Sequence, residues 1–133
     1  MRGVDRGPLP AEIDPLAKEI VDAAYRVHET LGPGLLESVY ETCLCMELSE
    51  RRIPIKRQVQ VPIYYRGQQI EPGLRIDLIV DGLVIVELKA VEQLLPVHEA
   101  QVLTYLKLTD LRLGLLINFN SALIKRGIRR IAL

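Results

Sequence analysis

The sequence predicts an α/β (α+β) fold: a mixed four- to five-stranded sheet flanked by helices, in the order α-α-β-β-β-α-β-(β). Three observations predict it. Two apolar stripes with helical spacing open the chain. Alternating and continuous apolar runs, punctuated by Gly and Pro, follow them. A further helical segment then separates two of those runs, and mixed order of this kind packs helices against a sheet.

Residues 1–13, with Gly3, Gly7, Pro8 and Pro10, read as a flexible leader, and residues 14–133 as a single domain. Asp14-Pro15 is a good helix start, with Asp as the N-cap and Pro in the first turn. Leu16, Ile20, Ala23, Ala24, Val27 and Leu31 make the stripe of the first helix, and Gly32-Pro33-Gly34 stops it. The second helix runs from about Leu35 to Arg52, with Leu36, Val39, Tyr40, Cys43, Leu44 and Leu48 on its apolar side and Glu37 near the edge. Val59, Val61, Ile63 and Tyr65 alternate with polar neighbours as a half-buried strand. Arg66-Gly67 turns the chain and Pro72-Gly73 breaks it again. Ile76–Val80 and Leu83–Leu88 are apolar on both faces, as central strands are. A third helix spans about Pro96 to Leu108. Leu111–Ile117 is a fourth strand and Ile128–Leu133 a fifth.

A chain of 133 residues, 49% of them apolar, is long enough for a real core and is not disordered. No apolar run approaches the roughly 20 residues of a membrane helix, and the first residues lead into no signal-peptide core. A cytoplasmic protein with no membrane role is expected. Cys43 and Cys45 lie two apart on a helix and point in different directions, so they read as reduced thiols, at least one in the core. Seventeen Lys and Arg balance seventeen Asp and Glu, which argues against a strong nonspecific nucleic-acid binder. Positive charge is still local: Lys125, Arg126, Arg129 and Arg130 form one cluster, and Arg51, Arg52, Lys56 and Arg57 another. Each is a nucleic-acid contact or a solvated face.

The chemistry concentrates between Asp77 and Lys89. Asp77 sits in one apolar run, and Glu87-Leu88-Lys89 ends the next. Burying unpaired charge is expensive, and a divalent metal would account for these groups. Two carboxylates and a Lys at the end of a hairpin suit phosphodiester hydrolysis. The site makes a demand on the turn, because residues facing each other across an antiparallel pair share a face. A two-residue Asp81-Gly82 loop would put Asp77 and Glu87 on opposite faces. A three-residue loop, Val80-Asp81-Gly82, pairs Ile79 with Leu83 and Asp77 with Ile85, and brings Asp77 and Glu87 to one face diagonally. Gly82 would close it in the left-handed conformation. An odd-length loop is therefore predicted. Lys89 shares the face of Glu87, while the Leu88 backbone carbonyl can face the metal. Oxygen-only ligation favours Mg2+ or Mn2+ over zinc.

Asp77 with Glu87-Leu88-Lys89 resembles the PD-(D/E)XK nuclease superfamily. Gly34-Leu35-Leu36-Glu37-Ser38-Val39-Tyr40 is similar to the namesake motif of one branch, the small GxxExxY proteins. The resemblance covers roughly Leu16 to Leu133. It implies a restriction-endonuclease-like core with Asp77, Glu87 and the Leu88 carbonyl as metal ligands, and Lys89 orienting water or stabilising charge. It also implies Glu37 as an added first-helix acid, and Gln101 and Tyr105 as a Gln-x-x-x-Tyr element on one helix face. Gly34 and Tyr40 support the motif, with Tyr40 and Tyr105 hydrogen-bonding the acids or packing beneath them. Tyr64 or Tyr65 is positioned to stack on a base. His98 reads as a helix-start residue rather than a ligand. Ile76 stands where the superfamily often has Pro.

The function implied is a metal-dependent nuclease acting on DNA or RNA, alone, as a homodimer or with a partner protein. The competing readings are a non-catalytic nucleic-acid-binding or protein-interaction module that keeps the fold, and a hydrolase of a small phosphorylated molecule. Each residue also has a plainer role: a Glu87–Lys89 surface pair, an Asp77 turn cap, a Glu37 at a helix dipole.

Overall fold

A computed structural model describes residues 6–133. The elements are α1 (Ile13–Leu31), α2 (Glu37–Glu50), β1 (Ile55–Tyr65), β2 (Gln68–Val80), β3 (Val84–Lys89), α3 (Pro96–Thr109), β4 (Leu113–Asn118) and β5 (Ile128–Ala132). A 3-10 turn, Ile124–Gly127, precedes β5. The strands form one five-stranded sheet in the order β1-β2-β3-β4-β5. Every neighbouring pair is antiparallel except β3 and β4, which are parallel and joined through α3. The predicted mixed sheet flanked by helices is the observed architecture.

Two apolar layers hold it together. α1 and α2 cover one face, where Ile20, Ala23, Leu44 and Leu48 meet Leu78, Val80, Val86, Leu88, Leu115 and Ile117. α3 covers the other, where Val102 and Leu106 meet Ile76, Ile85 and Leu116. Each fully buried aliphatic side chain of this kind contributes about 1.5–3 kcal/mol. α3 can approach closely because β4 carries Gly114: a Cβ there would sit 2.4 Å from Val102 Cγ1.

Several boundaries differ from expectation. α1 begins at Ile13 after an N-cap at Glu12, so Asp14 is not the cap but an acid of the first turn, favoured there by the helix dipole. Residues 1–5 of the expected leader lie outside the described residues. Arg6 pairs with Asp110, the Gly7 carbonyl accepts from Arg112, and Leu9 packs on the core. β2 is not broken at Pro72-Gly73: it runs from Gln68 to Val80, with the β1 register shifting between Val61 and Ile63 to absorb the proline. Tyr65 is exposed rather than inward, because no helix lies beneath the far end of this hairpin. Val39 is also exposed.

Cys45 is buried and Cys43 half-buried, both as free thiols, and burial pushes the Cys45 thiol up. His98 starts α3, its Nδ1 accepting the Leu95 N–H. Among the described residues no helix is long and apolar enough to cross a membrane.

Candidate active site

The β2–β3 hairpin sets the site. Val80 pairs with Val84, Ile79 with Ile85 and Leu78 with Val86. The loop is therefore three residues long, as the shared face requires, but it is Asp81-Gly82-Leu83 rather than Val80-Asp81-Gly82. Asp81 and Gly82 both have positive φ, and the Leu83 N–H donates to the Val80 carbonyl. Leu83 is then the extra residue before pairing resumes, a bulge one position later than predicted. The same register places Asp77 directly opposite Glu87, not diagonal to it.

At that pair the ladder ends. The Asp77 N–H donates to Glu87 Oε1 at 2.9 Å, and the Leu88 N–H donates to Asp77 Oδ2 at 2.9 Å. Each carboxylate has taken a backbone donor that strand pairing would otherwise use. Asp77 Oδ1 and Glu87 Oε2 take no backbone donor among the described residues. Glu87 is 6% exposed. Burial, with the Asp77 charge beside it, pushes the Glu87 carboxyl up to about 8, against the pull of Lys89 and of the Asp77 N–H.

A second irregularity lies behind Asp77. Residues two apart on a regular strand share a face. Ile55 belongs to the α1–α2 layer, yet Val59 and Val61 belong to the α3 layer. On β2, Leu78 and Val80 belong to the α1–α2 layer while Leu74 and Ile76 belong to the α3 layer. Both strands thus change phase together, across Arg57-Gln58 on one and Ile76-Asp77 on the other. The backbone register skips this point, passing from Arg57–Leu78 to Val59–Ile76. Gln58 there has φ 51°, a left-handed conformation that side chains other than Gly rarely adopt.

Neighbouring groups complete the site. Lys89 lies two residues beyond Glu87 and its charge opposes the rise in the Glu87 pKa. Burial and then the charges of Glu87 and Asp77 push the Tyr105 hydroxyl pKa up, so this tyrosine of α3 lies within electrostatic range of the acids without a hydrogen bond to either. Leu88 turns its N–H toward Asp77, while the Lys89 carbonyl turns the other way and accepts the Phe119 N–H. The N–H and C=O of one strand residue point to the same neighbour, so the Leu88 carbonyl faces the splayed β2 side. An open groove of about 290 Å³, lined by Gln60, Pro72, Gly73, Leu74 and Arg75, leads to Asp77.

The remaining predicted residues are placed differently. Gln101 is exposed one helical turn before Tyr105. Glu37 is the exposed first residue of α2 and makes no hydrogen bond or ion pair with the two acids. No group of three or more acids, His or Cys suited to a metal forms among the described residues. Tyr40 is fully buried and does not bond the acids: its hydroxyl donates to the Gly32 carbonyl and accepts the Leu35 N–H. Its ring stacks on Phe119 at 4.7 Å. Gly34, at φ 102°, donates its N–H to Asn120 Oδ1. The Gly34–Tyr40 motif is therefore a clamp on the α1–α2 loop, tied through Phe119 to the end of β3.

Three of the eight cluster residues, Arg51, Arg57 and Arg130, are held in ion pairs. Arg51 pairs with Glu19, Asp22 and Glu47. Arg130 pairs with Asp14, while Arg129 bonds the Arg126 and Ile128 carbonyls. Arg129 and Arg130 alternate on β5 and face opposite sides of the sheet, so with Lys125 and Arg126 they form no single patch.

Sequence reasoning missed Glu41, Gln58, Gln60, Arg75 and Asn118. Asn118 Oδ1 accepts the Val91 N–H and its Nδ2 donates to the Val91 carbonyl, fixing the chain that leaves β3 beyond Lys89. Its signal was a polar residue closing an otherwise apolar strand. The donor set fits a hard divalent cation: two carboxylates, each with an oxygen that takes no backbone donor, and one carbonyl turned the same way. Neutralising the repelling pair is the gain such an ion would bring.

A family model described as the PD-(D/E)XK nuclease superfamily matches residues 14–131. No curated protein and no solved structure matches the chain.

Proposed function

The chain belongs to the PD-(D/E)XK nuclease superfamily, and from that premise we propose that it is a metal-dependent nuclease hydrolysing phosphodiester bonds of DNA or RNA. The observation that carries the reading is the buried Glu87 directly opposite Asp77, with Lys89 beside it. Nucleases of this superfamily generally use divalent metals, and Mg2+ or Mn2+ suits these oxygens. Asp77, Glu87 and the Leu88 carbonyl would hold the ion, which supplies Lewis-acid charge and a bound water of lowered pKa. Lys89 presents fixed positive charge to the phosphoryl oxygens as negative charge grows there. Tyr105 holds a hydroxyl near the acids, and Gln101 on the same helix face contacts substrate. Glu37 would join only through a movement of the α2 start.

The Gly34, Glu37 and Tyr40 pattern supports placing the chain in the GxxExxY branch. Two free thiols support a cytoplasmic setting. The ion pairs that consume Arg51 and Arg130 favour a second reading, a protein that depends on a partner or a second copy for nucleic-acid affinity, or that serves as a binding module alone.

The test is cleavage of single- and double-stranded DNA and of RNA with Mg2+ or Mn2+, by wild type and Glu87→Ala prepared identically. Cleavage by wild type alone supports the nuclease. Cleavage by neither, with metal binding by wild type intact, favours the binding module or a missing partner.

A further inference from the structure

The side chains behind Asp77, on the sheet face away from the acids, form a polar cluster around one buried acid. Glu41 on α2 is 7% exposed. Its Oε2 accepts two hydrogen bonds from the Arg57 guanidinium, from Nε at 3.1 Å and from a terminal nitrogen at 3.0 Å. Its Oε1 accepts from the Gln58 amide at 2.7 Å. The same terminal nitrogen of Arg57 also donates to Thr42 Oγ1 at 3.2 Å. A buried carboxylate so fully satisfied is expensive to rearrange.

Its position is what gives it a role. Arg57 and Gln58 are consecutive, yet both reach the same carboxylate, which a regular strand forbids. The left-handed Gln58 allows it. Gln58 is the residue across from Asp77 at the interrupted register. Followed inward from the far end of the hairpin, where Leu74 and Ile76 face α3, a regular β2 would turn Asp77 toward α2. The phase change turns it to α3 and to Glu87 instead.

We propose that Glu41, acting through Arg57 and Gln58, is the positioning residue that locks this phase change and so holds the Asp77 carboxylate opposite Glu87. The proposal rests on Asp77 and Glu87 as the metal carboxylates, but its first readout needs no metal. The two hydrogen bonds that define the pair use the Asp77 and Leu88 amides, whose exchange with solvent reports local opening. Glu41→Gln keeps the size of the side chain and removes the charge that holds the Arg57 fork. Gln58→Asn tolerates the left-handed backbone but is too short to reach Glu41.

The experiment is amide hydrogen exchange on the metal-free protein, with the Leu106 amide of α3 as the measure of global opening. Both variants should speed exchange at Asp77 and Leu88 by about tenfold or more, with Leu106 unchanged. Mn2+ affinity should fall about 10–100-fold, as it does when groups supporting metal ligands are lost. Wild-type exchange at both amides in both variants overturns the proposal, whatever the activity. Altered exchange in a protein that neither binds Mn2+ nor cleaves nucleic acid supports the positioning role and overturns the nuclease reading instead.

Discussion

Asp77 and Glu87 face each other at the point where β2 and β3 part, and each carboxylate holds a backbone N–H from the other strand. The sheet there has exchanged ladder bonds for a pair of mutually repelling acids. Such an arrangement stores unfavourable energy in the metal-free protein and releases it when positive charge arrives.

Neutralising one member should therefore stabilise the metal-free protein. Glu87→Gln keeps an oxygen to accept the Asp77 N–H and removes the charge. Measured at pH 8 with a chelator present, it should be more stable than wild type by about 1–2 kcal/mol, roughly 3–10 °C in Tm. An unchanged or lower Tm would show that burial and the Asp77 charge together do not disfavour the ionised Glu87. The same variant should lose metal-dependent cleavage, as should Asp77→Ala.

The direction of the pH dependence follows. Glu87 ionises near 4.5 in the unfolded chain and at about 8 in the folded one. Between those values the folded state holds the extra proton, so metal-free stability falls as pH rises through that window. A bound divalent ion displaces the same proton, so metal affinity should rise with pH up to about 8 and then level off. Titration calorimetry in buffers of different ionisation heat should detect proton release below that pH. Affinity independent of pH from 6 to 9 would exclude Glu87 as the group displaced.

The hairpin shows how far the sequence can be read. An acid in one apolar run and Glu-x-Lys at the end of another required an odd loop, and the parity held because a one-residue slip would have put one of the two acids among the aliphatic side chains of the α1–α2 layer. The particular residues in the loop were not legible. Three-residue loops with positive φ at Asp81 and Gly82 or at Gly82 alone differ by little in local energy, and the packing of Val84 and Val86 decides between them. Glu41 and Gln58 were invisible for another reason. Their meaning depends on two strands changing phase together, and periodicity within one strand reads that only as an imperfect pattern. Tyr40 was read from its motif as a partner of the acids, whereas its ring is fully buried against Phe119 and its hydroxyl is engaged by the loop it follows.

Tyr40→Phe tests that reassignment. The hydroxyl bridges the Gly32 carbonyl, at 2.6 Å, and the Leu35 N–H, at 3.1 Å. Removing it leaves both backbone groups to find other partners while the ring keeps its stack. Stability should fall by about 1–2 kcal/mol in urea denaturation. Metal affinity should stay within about twofold of wild type, since the hydroxyl touches neither acid. A large loss of metal affinity at unchanged stability would return Tyr40 to the site.

Lys89 separates chemistry from binding. It shares the face of Glu87, at the end of β3, and its charge lowers the cost of ionising that acid. Lys89→Met keeps the aliphatic stem and removes the charge. If the ammonium acts on charge that develops only as the phosphodiester breaks, its loss should reduce turnover by about 10²–10³-fold. Substrate KM should change little, because the interaction is absent from the ground state. Mn2+ should still bind, somewhat less tightly at pH 7, because Glu87 without its cationic neighbour holds its proton to a higher pH. Single-turnover cleavage measured beside Mn2+ titration distinguishes the outcomes. Turnover near that of wild type would leave Lys89 as a partner of Glu87 alone, and equal losses in metal binding and turnover would place its role in assembling the site.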